Sequence, residues 1–285
     1  AAAAPAARSA AGRAGSFEEA LAAAGDTSEK LFELANRPAV SLAVGGGQLR
    51  VAQDRQTTEH SGGVVWETAF FLARYLEQHV LPGRPPKPRL RVAELGAGCG
   101  LLGLALSRLG CRVLLTDQPA ALANLRENAA EAAAGAGAGA GRAQVAQLSW
   151  GDESDIAAAC AKGPFNLVVA SDVNFAVRLV DPLLRTIAAL LGTARDAGTG
   201  QAECWLCLQQ RDPDAHAALV ERAPKLFRVR QVSFDGLPGF EAAAELECLL
   251  LRLRLRKRPA EAVDGGGAAA GGADESAQGP AAKKK

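Results

Sequence analysis

The sequence predicts an α/β fold, with a mostly parallel sheet covered by helices on both faces and closed by an antiparallel hairpin. Three observations predict it. Apolar runs of strand length alternate with helix-period segments between residues 90 and 226. The strand runs are apolar almost throughout, which is the pattern of strands buried on both faces. The last two strand-like runs, 227–234 and 245–255, follow one another with no long helix between them. Such a pair joins as antiparallel neighbours.

The elements follow in order. Residues 1–16 are alanine-rich and read as a disordered tail. Residues 17–34 carry a weak helical period. Val40–Val44 and Gln48–Val51 flank Gly45-Gly46-Gly47 and read as a hairpin. Ser61-Gly62-Gly63 leads a helix with Val65, Ala69, Leu72 and Leu76 at spacings of three and four. The proline-rich run Pro82–Pro88 stops it. Core strands read at 90–95, 112–117, 144–148, 165–171 and 203–209, and helices at 101–109, 119–131, 154–161, 177–191 and 214–226. Residues 132–143 (AAAGAGAGAGRA) read as a low-complexity surface insertion, because added loop length costs little closure entropy. The domain is expected to span 17–258, with a second disordered tail at 259–285.

The chain has 285 residues and a formal net charge of +1, so bulk charge attracts it to neither nucleic acid nor membrane. No apolar run has transmembrane length. The six cysteines sit mostly in apolar context, as reduced buried thiols do in a cytoplasmic or nuclear protein. Cys204-Trp205-Leu206-Cys207 is a lone Cys-x-x-Cys inside a strand pattern, so no metal site is expected. Basic clusters at Arg256–Arg258 and Lys283–Lys285 read either as a nuclear import signal or as a solvated tail. The first residues have the composition of a transit peptide, but no amphipathic pattern.

The chemistry concentrates at Glu94-Leu95-Gly96-Ala97-Gly98-Cys99-Gly100-Leu101. Glycines at alternate positions between a strand and a helix let backbone approach a ligand at a helix N-terminus. The dinucleotide fingerprint needs its third glycine where this chain has Leu101. Glu94, just before the loop, would repel a pyrophosphate and favour a cationic ligand. Asp117 ends the next strand, where a carboxylate accepts hydrogen bonds from ribose hydroxyls. A ribose, a positive centre and no pyrophosphate describe S-adenosylmethionine. The glycine loop Gly96-Ala97-Gly98, Glu94 and Asp117 are therefore its expected contacts.

Two further strand ends should face the same ligand. Trp150, before Gly151-Asp152, is placed to cover an adenine face. Trp66, at a helix start, is either a core anchor or a wall of the site. Asp172 is expected nearest the chemistry. A lysine amine is neutral in only about one part in a few thousand at pH 7, so a site that methylates it must desolvate and orient it. Asp172 can accept a hydrogen bond from the amine, and Phe175 offers an aromatic face to an ammonium group.

The combined order of Gly62–Ala69, Glu94–Gly103, Thr116-Asp117, Leu148–Gly151 and Ser171–Phe175 resembles the seven-β-strand protein-lysine methyltransferases. These form the non-histone lysine methyltransferase group of the methyltransferase-like family. The resemblance covers about residues 40 to 256. It implies a Rossmann-like class I methyltransferase fold with a seven-stranded sheet, and a protein partner that presents a lysine. It also implies cofactor contacts at Trp66, Gly96, Ala97, Gly98, Asp117, Trp150 and Ser171. One position departs from the family. Its substrate motif is Asp-x-x-Tyr, whereas Asp172-x-x-Phe175 lacks the hydroxyl.

Alternative readings are a methyltransferase for nucleic acid or a small molecule, and a non-catalytic cofactor-binding scaffold. The Asp172–Phe175 run lacks the prolines of base-amine enzymes, and no basic stripe studded with aromatics suggests RNA. A monomer is expected.

Overall fold

The glycine-rich turn expected after the first core strand sits at the centre of the sheet. In the computed structural model, described for residues 14–55, 61–84, 90–137, 139–198 and 202–256, β4 (Arg91–Leu95) leads into α4 (Leu101–Arg108). The alternation continues with β5 (Arg112–Asp117), α5 (Leu122–Ala134), β6 (Arg142–Gln147), α6 (Glu153–Cys160), β7 (Leu167–Ser171), α7 (Val177–Asp196), β8 (Glu203–Leu208) and α8 (Pro213–Leu226). The chain then forms β9 (Phe227–Val232), the short α9 (Glu241–Glu245) and β10 (Leu249–Leu255). The sheet order is β6-β5-β4-β7-β8-β10-β9. Pairs from β6 to β8 are parallel, and β10 is antiparallel to both β8 and β9. This is the expected mostly parallel seven-stranded sheet with its terminal hairpin.

Helix starts follow local chemistry. Asp152 accepts a hydrogen bond from Asp155 N at 2.9 Å at the start of α6, and Asp212 accepts from Ala215 N at 3.0 Å at the start of α8. Two apolar clusters cover the two faces of the sheet. Val92, Leu101 and Trp205 belong to one, and Ala93, Ile187 and Leu206 to the other. Cys204 and Cys207 fall in different clusters, so they face opposite sides of β8 and do not converge on a metal.

A smaller sheet lies against α4 and α5. It contains β1 (Gly15–Ser16), β2 (Ala39–Val44) and β3 (Gly47–Ala52), with α1 (Phe17–Ala22) and α2 (Thr27–Ala35) between the first two strands. Helix α3 (Glu67–Tyr75) continues into a π-helical turn at Leu76–Val80.

Some boundaries differ from the sequence expectation. Gly15 and Ser16, read as the end of a tail, pair in parallel with Val40 and Ser41. The expected strand from residue 245 begins only at Leu249, because Glu245 closes α9 and Glu247 turns with φ +51°. The alanines read as an insertion extend α5 to Ala134, and β6 starts at Arg142. There Gly141 N donates to Ser107 O at 2.7 Å, and a Cβ on Gly141 would overlap Cys111 O. Residues 1–13 and 257–285, which hold most of both expected tails and the terminal lysines, lie outside the described residues.

Candidate active site

The carboxyl ends of β4, β5 and β7 and the turn after β6 enclose one cavity of ≈ 250 Å³. Gly96, Ala97 and Gly98 form one wall, and Asp117 and Trp150 flank it. Ser171, Asp172, Phe175 and Trp66 complete the lining. Every expected site residue except Glu94 lines this cavity.

The glycine loop is shaped by positive φ at Gly96 (+63°) and Gly98 (+54°), a region that side chains disfavour. Space matters as much as torsion. A Cβ on Gly96 would stand 3.0 Å from Val173 Cγ1 and 3.1 Å from the Trp150 ring. The loop is held from below by Ala97 N donating to Thr116 O at 3.0 Å, and by Gly98 N donating to Asp117 Oδ2 at 2.7 Å. The other Asp117 oxygen accepts from Gln118 N at 2.7 Å.

Residues absent from the sequence expectation brace this loop. Asn128 of α5 donates to Cys99 O and to Ala52 O, both at 2.9 Å, and accepts from Ala52 N at 2.9 Å. The small sheet is thereby tied to the glycine turn. Gln53 accepts from Val65 N at 2.7 Å and donates to Arg37 O at 2.8 Å, which fixes the approach to Trp66. Nothing local in the sequence marks either amide as such a clamp, since α5 carries several polar residues besides Asn128. Cys99 is buried, donates toward Gly62 O at 3.4 Å and has its thiol pushed up to about 12 by burial. It fills the turn and does not act as a nucleophile.

Glu94 corrects the sequence reading. It shares the face of β4 that α4 covers, and Gly103 N donates to its Oε2 at 2.9 Å. A Cβ on Gly103 would lie 2.3 Å from that oxygen, so glycine is what lets the helix settle onto the carboxyl group. Burial raises the Glu94 pKa to about 8; the Gly103 N–H opposes the shift and the Asp117 charge adds to it. The group is therefore largely neutral at pH 7 and attracts no cation.

A carboxyl group whose folded pKa lies above its unfolded value stabilises the fold fully below the unfolded pKa, and this contribution is lost as pH rises through the folded value. Thermal stability should therefore fall between about pH 4.5 and 8. Glu94→Gln should flatten that slope and leave the variant more stable than the parent at pH 9. Melting curves over this range check it, and parallel slopes in the two proteins would refute it.

Asp172 also differs from expectation. It turns the chain after β7 with φ +53°, a conformation Asp tolerates better than most residues, and its N–H donates to Cys207 O at 2.9 Å. Its side chain is only 5% exposed. Arg211 donates to Asp172 Oδ2 through Nε at 3.0 Å and through a terminal nitrogen at 2.7 Å. The same terminal nitrogen reaches Glu67 at 2.9 Å, and the guanidinium lies 4.6 Å from the Trp66 ring centroid. The expected amine acceptor thus already holds an internal cation. Trp66 and Phe175 remain 36% and 44% exposed at the cavity.

The lysine methyltransferase family matches residues 46–217, well over half of the chain. The chain belongs to this family. Among curated relatives, the protein N-lysine methyltransferase METTL21A of Danio rerio is 29% identical over 193 residues, covering 66% of this chain and 78% of its own length. EEF1A lysine methyltransferase 3 of Xenopus tropicalis is 31% identical over 149 residues, covering 52% of this chain and 60% of its own. A magnesium protoporphyrin IX methyltransferase from Synechocystis, solved with bound S-adenosylmethionine, has a TM-score of 0.39 at 16% identity over 67% of this chain and 79% of its own.

The family match contains every residue of the cavity wall. The cofactor of this lysine methyltransferase is S-adenosylmethionine, and the cavity suits it. The Gly96 cradle would be filled by any Cβ, the loop backbone is open to close approach, and Asp117 presents a carboxylate beside it. The backbone of Gly96–Gly98 and the Asp117 carboxylate would hold the ligand, with Trp66, Trp150 and Ser171 as walls.

Proposed function

We propose that this chain transfers methyl groups to a lysine side chain of a non-histone protein, with Asp172, Phe175 and Arg211 at the amine end of the site. The observation that carries this reading is the continuity of one cavity. It runs from the Asp117 carboxylate to the Asp172–Phe175 turn that closes β7. The bound cofactor supplies an electrophilic methyl group on a sulfonium, and the chain's residues prepare the nucleophile. Phe175 and Trp66 offer aromatic faces that desolvate the amine and exclude water. Arg211 counterbalances Asp172 and Glu67, so the two carboxylates do not trap the amine as its ammonium.

Tritiated methyl donor added to a cell lysate should label a protein band in the presence of the purified chain. Mass spectrometry should then place the methyl on a lysine. Label in RNA instead would assign the chain to nucleic-acid methylation. One observation favours a second reading, a cofactor-binding scaffold without turnover. Phe175 lacks a hydroxyl, and Asp172 is already engaged by Arg211. Cofactor binding with no label in any protein would decide for the scaffold.

Residence in the cytoplasm and nucleus, as a monomer, completes the proposal. The six free thiols support a reducing compartment. Among the described residues no helix is long and apolar enough to cross a membrane.

A further inference from the structure

We propose that the terminal hairpin carries a docking site for an extended acidic segment of the protein substrate, at the end of the sheet remote from the methyl-transfer site. This rests on the reading of the chain as a protein methyltransferase. The register of β9 against β10 places Arg230 opposite Arg252 and Arg228 opposite Arg254. Residues directly opposite share a face, and like charges so placed repel. Two rows of paired arginines, alternating with the Leu253–Val229 row and so on one face, therefore work against the hairpin's own stability.

A cavity of ≈ 380 Å³ is lined by these four arginines together with Arg195 and Arg256. The acid beside them, Glu203, is buried and already shared by Arg84, Arg252 and Arg254. Among the described residues, Arg228 and Arg230 have no ion-pair partner, and both are exposed. The chain's net charge is only +1, so this is a local concentration of charge and not a general property of the surface.

The edge decides the kind of partner. In the sheet order β9 is the last strand, bonded to β10 on one side only. Its outer edge presents backbone donors and acceptors that an added polypeptide strand can match. Arginines at alternate positions 228 and 230 repeat about every 7 Å along the strand. That is also the spacing of acidic side chains at every second residue of an extended partner. A nucleic acid would gain the charge contacts but no stacking, since Trp205 is buried beneath Arg252 and no aromatic ring lines the cavity.

The hairpin lies outside the family match, which ends at residue 217. Arg254 sits beside the start of β8 and Arg211 just beyond its end, so docking and methylation are separated by about the length of the strand, ~20 Å. A substrate held there presents its lysine at raised effective concentration.

The test is fluorescence anisotropy of the full chain with a labelled peptide of alternating glutamate and threonine. The parent should bind it with affinity that falls steeply as salt rises. Arg228→Glu/Arg230→Glu should weaken binding at least tenfold, and the milder Arg228→Gln/Arg230→Gln should give an intermediate loss. Affinity for S-adenosylmethionine should stay unchanged in both, which shows that they are folded. Equal peptide binding by parent and charge-reversed chain would overturn the proposal, as would tighter binding of a labelled thymidine oligonucleotide than of the peptide. Asp117→Ala should still bind the peptide, so failure of the methyltransferase reading and failure of the docking site give different results.

Discussion

Asp117→Ala should raise the dissociation constant for S-adenosylmethionine by roughly a hundredfold, the effect of losing hydrogen bonds to a charged group in a partly enclosed site. Two losses combine. The carboxylate is the acceptor that would hold the ribose hydroxyls, and it also anchors the glycine turn through Gly98 N at 2.7 Å. Removing it leaves that N–H without its partner and frees a loop whose shape depends on left-handed torsions at Gly96 and Gly98. Asp117→Asn keeps one oxygen for Gly98 N and should fall between the parent and the alanine variant. Isothermal titration calorimetry of the three proteins checks the order. An unchanged affinity in Asp117→Ala would remove the cofactor from this cavity.

Arg211→Gln should move the rising limb of the kcat/KM pH profile upward by about one unit, the effect expected of removing a partly exposed counter-charge. The sign follows from the charges that remain. With the guanidinium gone, Asp172 and Glu67 face the amine uncompensated and stabilise its protonated form. The pKa of the bound amine rises, and less of it is nucleophilic at pH 7. Activity near pH 7 should drop about tenfold and recover as pH increases. Arg211→Lys keeps the charge and should restore most of the profile. A purely structural role for Arg211 would instead lower activity evenly at every pH, and that result would refute the electrostatic one. The assay uses the lysine-containing protein identified by labelling.

Much of the site was readable because its determinants are local. The glycine spacing, the carboxylate ending β5, the tryptophan at 150 and the run from Ser171 to Phe175 each occupy a few consecutive residues at a strand end. An open α/β sheet collects strand ends on one edge, so listing them nearly lists the cavity wall. Glu94 failed for a reason that local pattern does not contain. On β4 an acid before a glycine turn can face ligand or helix, and only the packing of α4, made close by Gly103, shows that it lies under the helix. Nothing local to Gln209-Gln210-Arg211 singles out Arg211 in the sequence. It meets Asp172 because β7 and β8 are neighbours in register, with Ser171 beside Cys207. Asn128 and Gln53 likewise act across long sequence separations.

The order and type of the core elements, the glycine turn that lines the cavity and the family chemistry were thus determined by sequence alone. They depend on periodicity, glycine torsion and the composition of short segments, which are properties of neighbouring residues. The protonation of Glu94, the pairing of Arg211 with Asp172 and Glu67, and the opposed arginines of the hairpin were decided only by the tertiary structure. Each depends on which charges are brought close and how deeply they are buried, and electrostatic energy follows distance through space and local dielectric, not separation along the chain.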